Sequence, residues 1–462
     1  MGWVWHTVVR SIWIGMVLFP MWLAYVVPWV RMRRFGATIP DAVWERKHRK
    51  HAARFYRLAV RMRGGLIKVG QILSTRVDLM PREWIAELSG LQDEVDPTPW
   101  SDVEPHLRAG YDAPLESLFT ELDQEAIAAA SFGQVHRGIT ADGTRIALKI
   151  RYADIERKLA VDLWLMSWAV RLFNVFLPKI RLSPIYDEIK RALTTELDYE
   201  QEARFTRIIH GHFEGREGVE VPRVIDALTT RDVICTTWVD GVKITSPKLL
   251  DDPRLDRAKL LERLLWAWIQ MMYVDGVFQS DPHPGNLLAR LDDAGEPILG
   301  VVDFGQVKIL DRAFHQKLVS SVMAFAMGNV DMFLGALVDI GLFPESEKDR
   351  MRPIVAELME HLRGADPMSG GQLDFAALRM RVLETVDRME GVAIPQELVL
   401  YGRTFALLAG VTRSIAPDVN ALAIARPLVT QALLAGGPPE QPVKTPEIAA
   451  ASSAPRTGAS NG

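Results

Sequence analysis

Two stretches constrain the fold of this chain more than any other: QSDPHPGNLL at residues 279–288 and ILGVVDFGQV at 298–307. Between them, LDDAGEP (291–297) carries the Asp and Gly of a tight turn. The apolar run opened by Leu287 and Leu288 and the run ending at Asp303-Phe304-Gly305 therefore read as the two strands of a hairpin. Taken singly, Asp-Pro and Pro-Gly are ordinary turn signals and describe a surface loop with a solvated Asp281 and Asn286. The spacing says more, because Asp281 and Asn286 are five apart and Asp303 follows Asn286 by seventeen, behind the hairpin. A hard cation bound to phosphates prefers oxygen ligands and keeps several waters, so Asn286 and Asp303 are sufficient protein ligands for Mg²⁺.

An acid five residues before a metal-binding amide is the spacing of a phosphotransferase catalytic loop, which places Asp281 as the catalytic acid or base. Such a loop demands a phosphate-covering segment and a lysine-bearing strand. AIAAASFGQVHRG (126–138) keeps the register of a glycine-rich loop as Ala128-x-Ala130-x-x-Gly133-x-Val135, with alanine for two of the three glycines. Alone, this patch reads equally as the end of a short helix or strand. Sixteen residues after Gly133, however, stands Lys149: TRIALKIR (144–151) alternates as a strand and carries Ile146-Ala147-Leu148-Lys149, equivalent to V-A-I-K. An ammonium on an apolar strand needs a phosphate or carboxylate partner. EIKRALTTELDYEQEARFTRIIHGHF (188–213) has helical periodicity, and Glu196, Asp198, Glu200 and Glu202 all qualify as that partner. Spacing does not choose among them. The 53-residue gap from Lys149 to Glu202 predicts a helical insertion over VDLWLMSWAVRLFNVFL (161–177). Turns and core residues would not produce these features together and in this order.

Three features go beyond a generic kinase pattern: Lys68-Val69-Gly70-Gln71, Glu196-Leu197-Asp198 and Ala128-Ala129-Ala130-Ser131. They are similar to the K-x-G-Q motif, the E-x-D motif and the alanine-rich loop of the UbiB/AarF-type atypical kinases, a protein-kinase-like family associated with ubiquinone and other isoprenoid-quinone lipids. The chain resembles that family over about residues 45 to 430. The resemblance implies ATP and Mg²⁺ as cofactors and gives Glu202 as the helix glutamate that pairs with Lys149. It sets Glu196 and Asp198 opposite the K-x-G-Q segment. Lys68 and Gln71, at i and i+3, share a helical face and are expected to reach into one site; without the resemblance Lys68 would read as a snorkelling surface lysine. Gln279-Ser280 stands where protein kinases have His-Arg, and no Ala-Pro-Glu segment follows Asp303, where DRAFHQKLVSSVMAFAMGNVDMFLGAL (311–337) reads as helix. No platform for an extended peptide is visible. In the family the K-x-G-Q helix is understood to occlude that face, which implies ATP hydrolysis or small-lipid chemistry more readily than protein phosphorylation.

The expected fold is therefore α+β: a two-lobed, protein-kinase-like fold with an added N-terminal helical extension and a largely helical C-terminal lobe. Residues 1–35 form a membrane-associating apolar segment, 36–120 the extension with K-x-G-Q, 121–240 the N-lobe, 241–435 the C-lobe, and 436–462, rich in Pro, Ala, Ser and Gly, a disordered tail. At 462 residues with 48% apolar content the chain can bury such a core. A net charge of −4 gives no argument for nucleic acid, and the one cysteine, Cys235 in DVICTTWVDG (232–241), excludes an internal disulfide and reads as a buried thiol. Between Arg10 and Arg31 lie twenty uncharged residues, enough to span a bilayer, and Arg31, Arg33 and Arg34 set the catalytic part on the cytoplasmic side. Pro20, Pro28 and the tryptophans from Trp3 to Trp29 equally suit an interfacial helix. The leading functional expectation is a membrane-associated, Mg²⁺- and ATP-dependent atypical kinase or ATPase supporting isoprenoid-quinone biosynthesis. Its expected partners are membrane lipids, quinone precursors and quinone-biosynthesis enzymes. The alternatives are a small-molecule kinase of the aminoglycoside and choline type, which shares D-x-H-P-G-N, and a non-catalytic scaffold.

Overall fold

The computed structural model describes residues 2–36, 38–62, 64–74, 80–92, 97–176, 183–364 and 395–434; the tail at 436–462 lies outside the described residues. By its own contacts the chain divides into two compact units, Met1–Leu260 with Asp281–Val307, and Leu261–Ser280 with Lys308–Gly462.

The first unit opens with four helices, α1 (Gly2–Phe35), α2 (Asp41–Met62), α3 (Gly65–Ser74) and α4 (Arg82–Leu88). Within α1, Val9–Phe35 is long and apolar enough to cross a membrane. The four helices share one core through Ile14, Phe55, Leu66 and Leu88, joined by residues from further along the chain such as Phe132 and Leu159. After α5 (Trp100–Ala109) and α6 (Leu115–Leu118) come β1 (Phe119–Leu122), β2 (Ala128–Ala129), β3 (Gly133–Thr140) and β4 (Arg145–Arg151). Three helices follow, α7 (Ile155–Phe176), α8 (Ser183–Glu196) and α9 (Tyr199–Phe213), then β5 (Val219–Glu220) and β6 (Val233–Thr237). An antiparallel sheet runs β1-β3-β4-β6, with β2 paired to β3.

Alternation along β4 fixes what that sheet does. Ile146, Leu148 and Ile150 are fully buried and pack with Leu107, Val233 and Cys235, so Ala147 and Lys149 project from the opposite face. Burial pushes the Cys235 thiol up to about 12, which leaves it an inert core residue. A second sheet, β5-β10-β9-β7, is built from β7 (Val242–Lys243), β9 (Leu287–Leu291) and β10 (Pro297–Val301) with β5, while β8 (Val277–Gln279) belongs to the second unit; β9 and β10 form the hairpin read from the sequence.

The stretch expected as one helix over 188–213 is two. The backbone leaves the helix at Leu197-Asp198, where Asp198 has φ −87° and ψ 83° and its carboxylate accepts from the Gln201 N–H at 2.9 Å, the N-cap of α9. In the second unit the run 311–337 also breaks in two, Arg312–Met327 and Val330–Ile340. Gly328 takes a left-handed φ of 68° and Asn329 caps the second helix through the Met332 N–H. Helices Lys348–Gly364, Gln396–Ile415 and Ala421–Leu434 also belong to that unit's described part, and the described residues as a whole are α+β.

Candidate active site

The site is assembled on the sheet face opposite the apolar core. Lys149 pairs in register with Val135 of β3 and Ile234 of β6, which holds its stem in mid-sheet. Its ammonium donates to both oxygens of Glu202, at 2.7 and 2.9 Å, and to Oδ2 of Asp303 at 3.2 Å. Of the four acids that spacing left open, Glu202 is therefore the one on Lys149. Being four positions into the capped helix, it projects from the first turn of α9 toward the sheet. Tyr199, also on that turn, lies with its ring 5.3 Å from the ammonium.

Charge in this cluster is balanced by opposing effects. Burial works against the Lys149 ammonium, but the carboxylates of Asp303 and Glu202 outweigh it and hold its pKa well above the ordinary value. Burial pushes the Glu202 carboxyl up to about 7 against the pull of Lys149. Asp303 would also rise through burial, yet the Lys149 charge, the Gly305 N–H at 2.9 Å and the more distant Lys68 bring it below the usual carboxylate range. One ammonium thus joins two acids in different protonation regimes.

Asp281 and Asn286 precede the β9–β10 hairpin and Asp303 follows it. The Val302 N–H donates to the Asn286 carbonyl at 3.1 Å, continuing the β9–β10 ladder and setting Asn286 and Asp303 at its open end. Asn286 donates through Nδ2 to the Asp281 carbonyl at 3.2 Å, and the His283 N–H to the same carbonyl at 2.7 Å, so the turn is closed on itself. The Asp281 carboxylate accepts from Gln306 Nε2 at 3.3 Å. Amide and carboxylate oxygens at Asn286 and Asp303 are hard donors and fit Mg²⁺ carried with phosphates.

The alanine loop lies along β3: Ala128 pairs with Val135, Ala129 with Gln134, and the Ala130 N–H donates to the Gly133 carbonyl at 2.8 Å. No residue from 128 to 133 has a positive φ, so alanine fits this backbone without strain. Ser131 and Phe132 turn inward and are buried, whereas Ala128 and Ala130 stay exposed. Gly133 is the position that cannot change. A Cβ there would stand 2.5 Å from the Ile150 carbonyl oxygen and also collide with the Tyr199 hydroxyl.

On α3, Lys68 meets Glu196 at 2.6 Å. Two expectations need correction. Asp198 does not share that contact, because its carboxylate is used to cap α9. Gln71 does not join Lys68 in one site: it donates to the Leu91 carbonyl at 2.8 Å and ties α3 to the turn at Ser89–Gln92. Sequence reasoning also missed Arg151. Its guanidinium donates to the Leu197 carbonyl at 3.1 Å and to Glu156 at 3.0 Å and pairs with Asp232, pinning the α8–α9 break and so separating Glu196 from Glu202. Gln306, three residues after Asp303, was missed as well. For Asp198 a signal existed, since Asp198-x-x-Gln201 has capping-box spacing.

Residues 90–334 match the ABC1 atypical kinase-like domain. A Synechocystis protein is 29% identical over 375 residues, covering 79% of this chain and 62% of that protein. The Arabidopsis thaliana chloroplast protein ACTIVITY OF BC1 COMPLEX KINASE 1 is 29% identical over 372 residues, covering 80% of this chain and 54% of its own length. This chain therefore spans little more than half the length of these curated relatives. A Mycobacterium tuberculosis protein solved in complex with erythromycin shares the fold, with a TM-score of 0.55 and 22% identity over 84% of this chain and 98% of that one.

Proposed function

Since the chain belongs to the ABC1 atypical kinase-like family, we propose that it is an ATP-dependent phosphotransferase or ATPase whose reaction runs at Lys149, Glu202, Asp281, Asn286 and Asp303. The observation that carries this reading is the single ammonium bridging Glu202 and Asp303. Lys149, fixed by Glu202, would orient the nucleotide phosphates, with the segment Ala128–Val135 covering them. Asn286 and Asp303 would hold Mg²⁺, which supplies charge stabilisation at the phosphate oxygens. Asp281, steadied by Gln306, would accept the proton of an attacking hydroxyl or water. Lys68 and α3, held by Glu196, would cover the face where a peptide substrate would dock. That geometry favours water or a small lipid hydroxyl as acceptor. The apolar α1 and Arg31, Arg33 and Arg34 at its end support action at the cytoplasmic face of a membrane, with membrane lipids as partners. The resemblance adds support of ubiquinone or another isoprenoid-quinone pathway, with quinone-biosynthesis enzymes as partners.

The test is steady-state ATP turnover by the purified chain with Mg²⁺, compared with Lys149→Met. Loss of a buried charged contact made to the reacting phosphates should lower turnover by about a hundredfold or more. Equal turnover in the two proteins would reject the assignment, and unchanged unfolding temperature would show that the loss is chemical.

A further inference from the structure

The N-terminal helix pair carries two exposed stripes of opposite character. On α1, Ile12, Met16, Phe19, Leu23 and Val27 are all exposed, at spacings of four, three, four and four, which puts them along one face. The other side of the same helix is anchored: Ile14, Met21 and Val26 are buried, and Arg10 makes a two-pronged pair with Asp162 of α7 at 2.9 and 2.7 Å, where Asp162 is 1% exposed. On α2, Arg46, Arg49, Lys50, Arg54, Arg57 and Arg61 are exposed at helical spacing. The first 62 residues hold eleven Lys and Arg against two acids, in a chain whose net charge is −4. Positive charge is thus concentrated beside the apolar stripe. The Arg61 guanidinium stacks 4.3 Å from the exposed Trp13 ring, which ties one stripe to the edge of the other.

We propose that this helix pair docks in the plane of an anionic lipid bilayer, with the outer stripe of α1 among the acyl chains and the basic stripe of α2 at the headgroups. The inference rests on the membrane association proposed above and states how it is made. Length alone would let α1 span, but its neighbours decide the orientation. Tyr25 meets His48 at 3.0 Å, Lys47 donates to the Ala24 carbonyl at 2.8 Å, and Trp13 meets Arg61, so α1 and α2 run antiparallel side by side. A spanning α1 would carry Arg49, Lys50 and Arg54 into hydrocarbon or strip Arg10 from the buried Asp162. Lying flat, the pair keeps every one of these contacts. Its composition, a Trp-bearing apolar face beside a basic one, is that of an interfacial helix. A nucleic acid would answer the charge and leave the apolar stripe uncovered. On α7, Trp164, Trp168 and Leu172 add a further exposed apolar row, with Arg171 5.3 Å over Trp168.

Flotation of the purified full-length chain with vesicles tests this. Vesicles of phosphatidylcholine with phosphatidylglycerol should carry the protein upward, and phosphatidylcholine alone should not. The triple substitution Arg49→Gln, Arg54→Gln, Arg57→Gln should weaken binding roughly a hundredfold, at about fivefold per basic residue near an anionic surface. Phe19→Glu with Leu23→Glu should abolish flotation on the anionic vesicles, with circular dichroism checking that both variants fold. Alkaline carbonate should release the native chain from membranes. Retention in carbonate would overturn in-plane docking in favour of a span, and equal flotation on both vesicles would overturn the role of the basic stripe. Failure to float on either would remove membrane association as well. A dimer in sedimentation equilibrium that is lost in the Phe19, Leu23 variant would assign the stripe to a second copy instead. None of these readouts involves nucleotide, so phosphotransfer stands or falls separately.

Discussion

Lys68→Ala separates an occluded site from an open one. The ammonium of Lys68 and Oε2 of Glu196 stand 2.6 Å apart, and the two side chains keep 16% and 24% of their exposure. An exposed pair contributes about 0–1 kcal/mol, and removing one member of a fully buried pair costs about 3–5 kcal/mol because the other charge is left uncompensated. At this intermediate exposure the loss should be about 1–2 kcal/mol, a shift of roughly five- to thirtyfold between closed and open positions of α3. Self-phosphorylation should rise by up to that factor as the cover loosens, while ATP turnover through Lys149 persists. The magnitude is isolated by a double-mutant cycle with Glu196→Ala, read by chemical denaturation and by radiolabel incorporation from ATP. A coupling within about 0.3 kcal/mol of zero, together with unchanged self-phosphorylation, would refute the idea that this pair holds a cover in place.

Asp303→Asn removes the carboxylate proposed to hold the metal, which is also one of the two carboxylates on Lys149, so Mg²⁺-dependent protection by ATP in thermal unfolding should disappear while the fold survives; full protection would contradict the metal assignment. Ala128→Gly and Ala130→Gly add backbone freedom at exposed positions that do not need it, and should change nucleotide affinity or the preference between ATP and ADP with less than about 1 kcal/mol lost in stability. Binding and hydrolysis of ATP and ADP by both variants as in the parent would mean that the segment does not cover phosphates. Glu202, raised to about 7 from 4.5, keeps its proton in the folded chain across that window while the unfolded chain releases it, so its contribution to stability falls as pH rises from about 4.5 to 7. For activity the sign is opposite: the ion pair with Lys149 forms as pH rises through about 7, so turnover should show an acid limb there, and Glu202→Gln should abolish the limb along with most of the activity. An unchanged limb in that variant would assign it to another group.

What could be read in advance was what depends on local pattern. The alternation of TRIALKIR made β4 visible, and with it the two-sidedness that puts Lys149 opposite Ile146, Leu148 and Ile150. The turn at 291–297 made the hairpin visible, and with it the placement of Asn286 and Asp303. What could not be read depends on partners distant in sequence. Arg151 looks like the polar end of a strand, and nothing local says that it grips a carbonyl 46 residues on and an acid 81 residues on. Periodicity alone ran α8 and α9 together, because the residues flanking Asp198 continue the helical pattern; the N-cap that interrupts it is a competition for one N–H, which a hydrophobic pattern does not register.

The alanine loop shows the two kinds of information meeting in eight residues. Its register was recognisable, yet its glycine pattern was the wrong guide to which positions matter. Ala128 and Ala130 occupy glycine positions of the pattern but have negative φ and exposed side chains, so neither backbone nor packing calls for glycine. Gly133 has a negative φ too, and its requirement is purely one of space: the Ile150 carbonyl and the Tyr199 hydroxyl occupy the volume a side chain would need. Tyr199 is there because Asp198 caps α9 and Arg151 fixes the break before it, and the same turn delivers Glu202 to Lys149. The one glycine retained in the loop is therefore coupled, through Tyr199, to the turn that completes the ion pair. A methyl group at Gly133 would push on the Lys149–Glu202 contact before it touched any nucleotide.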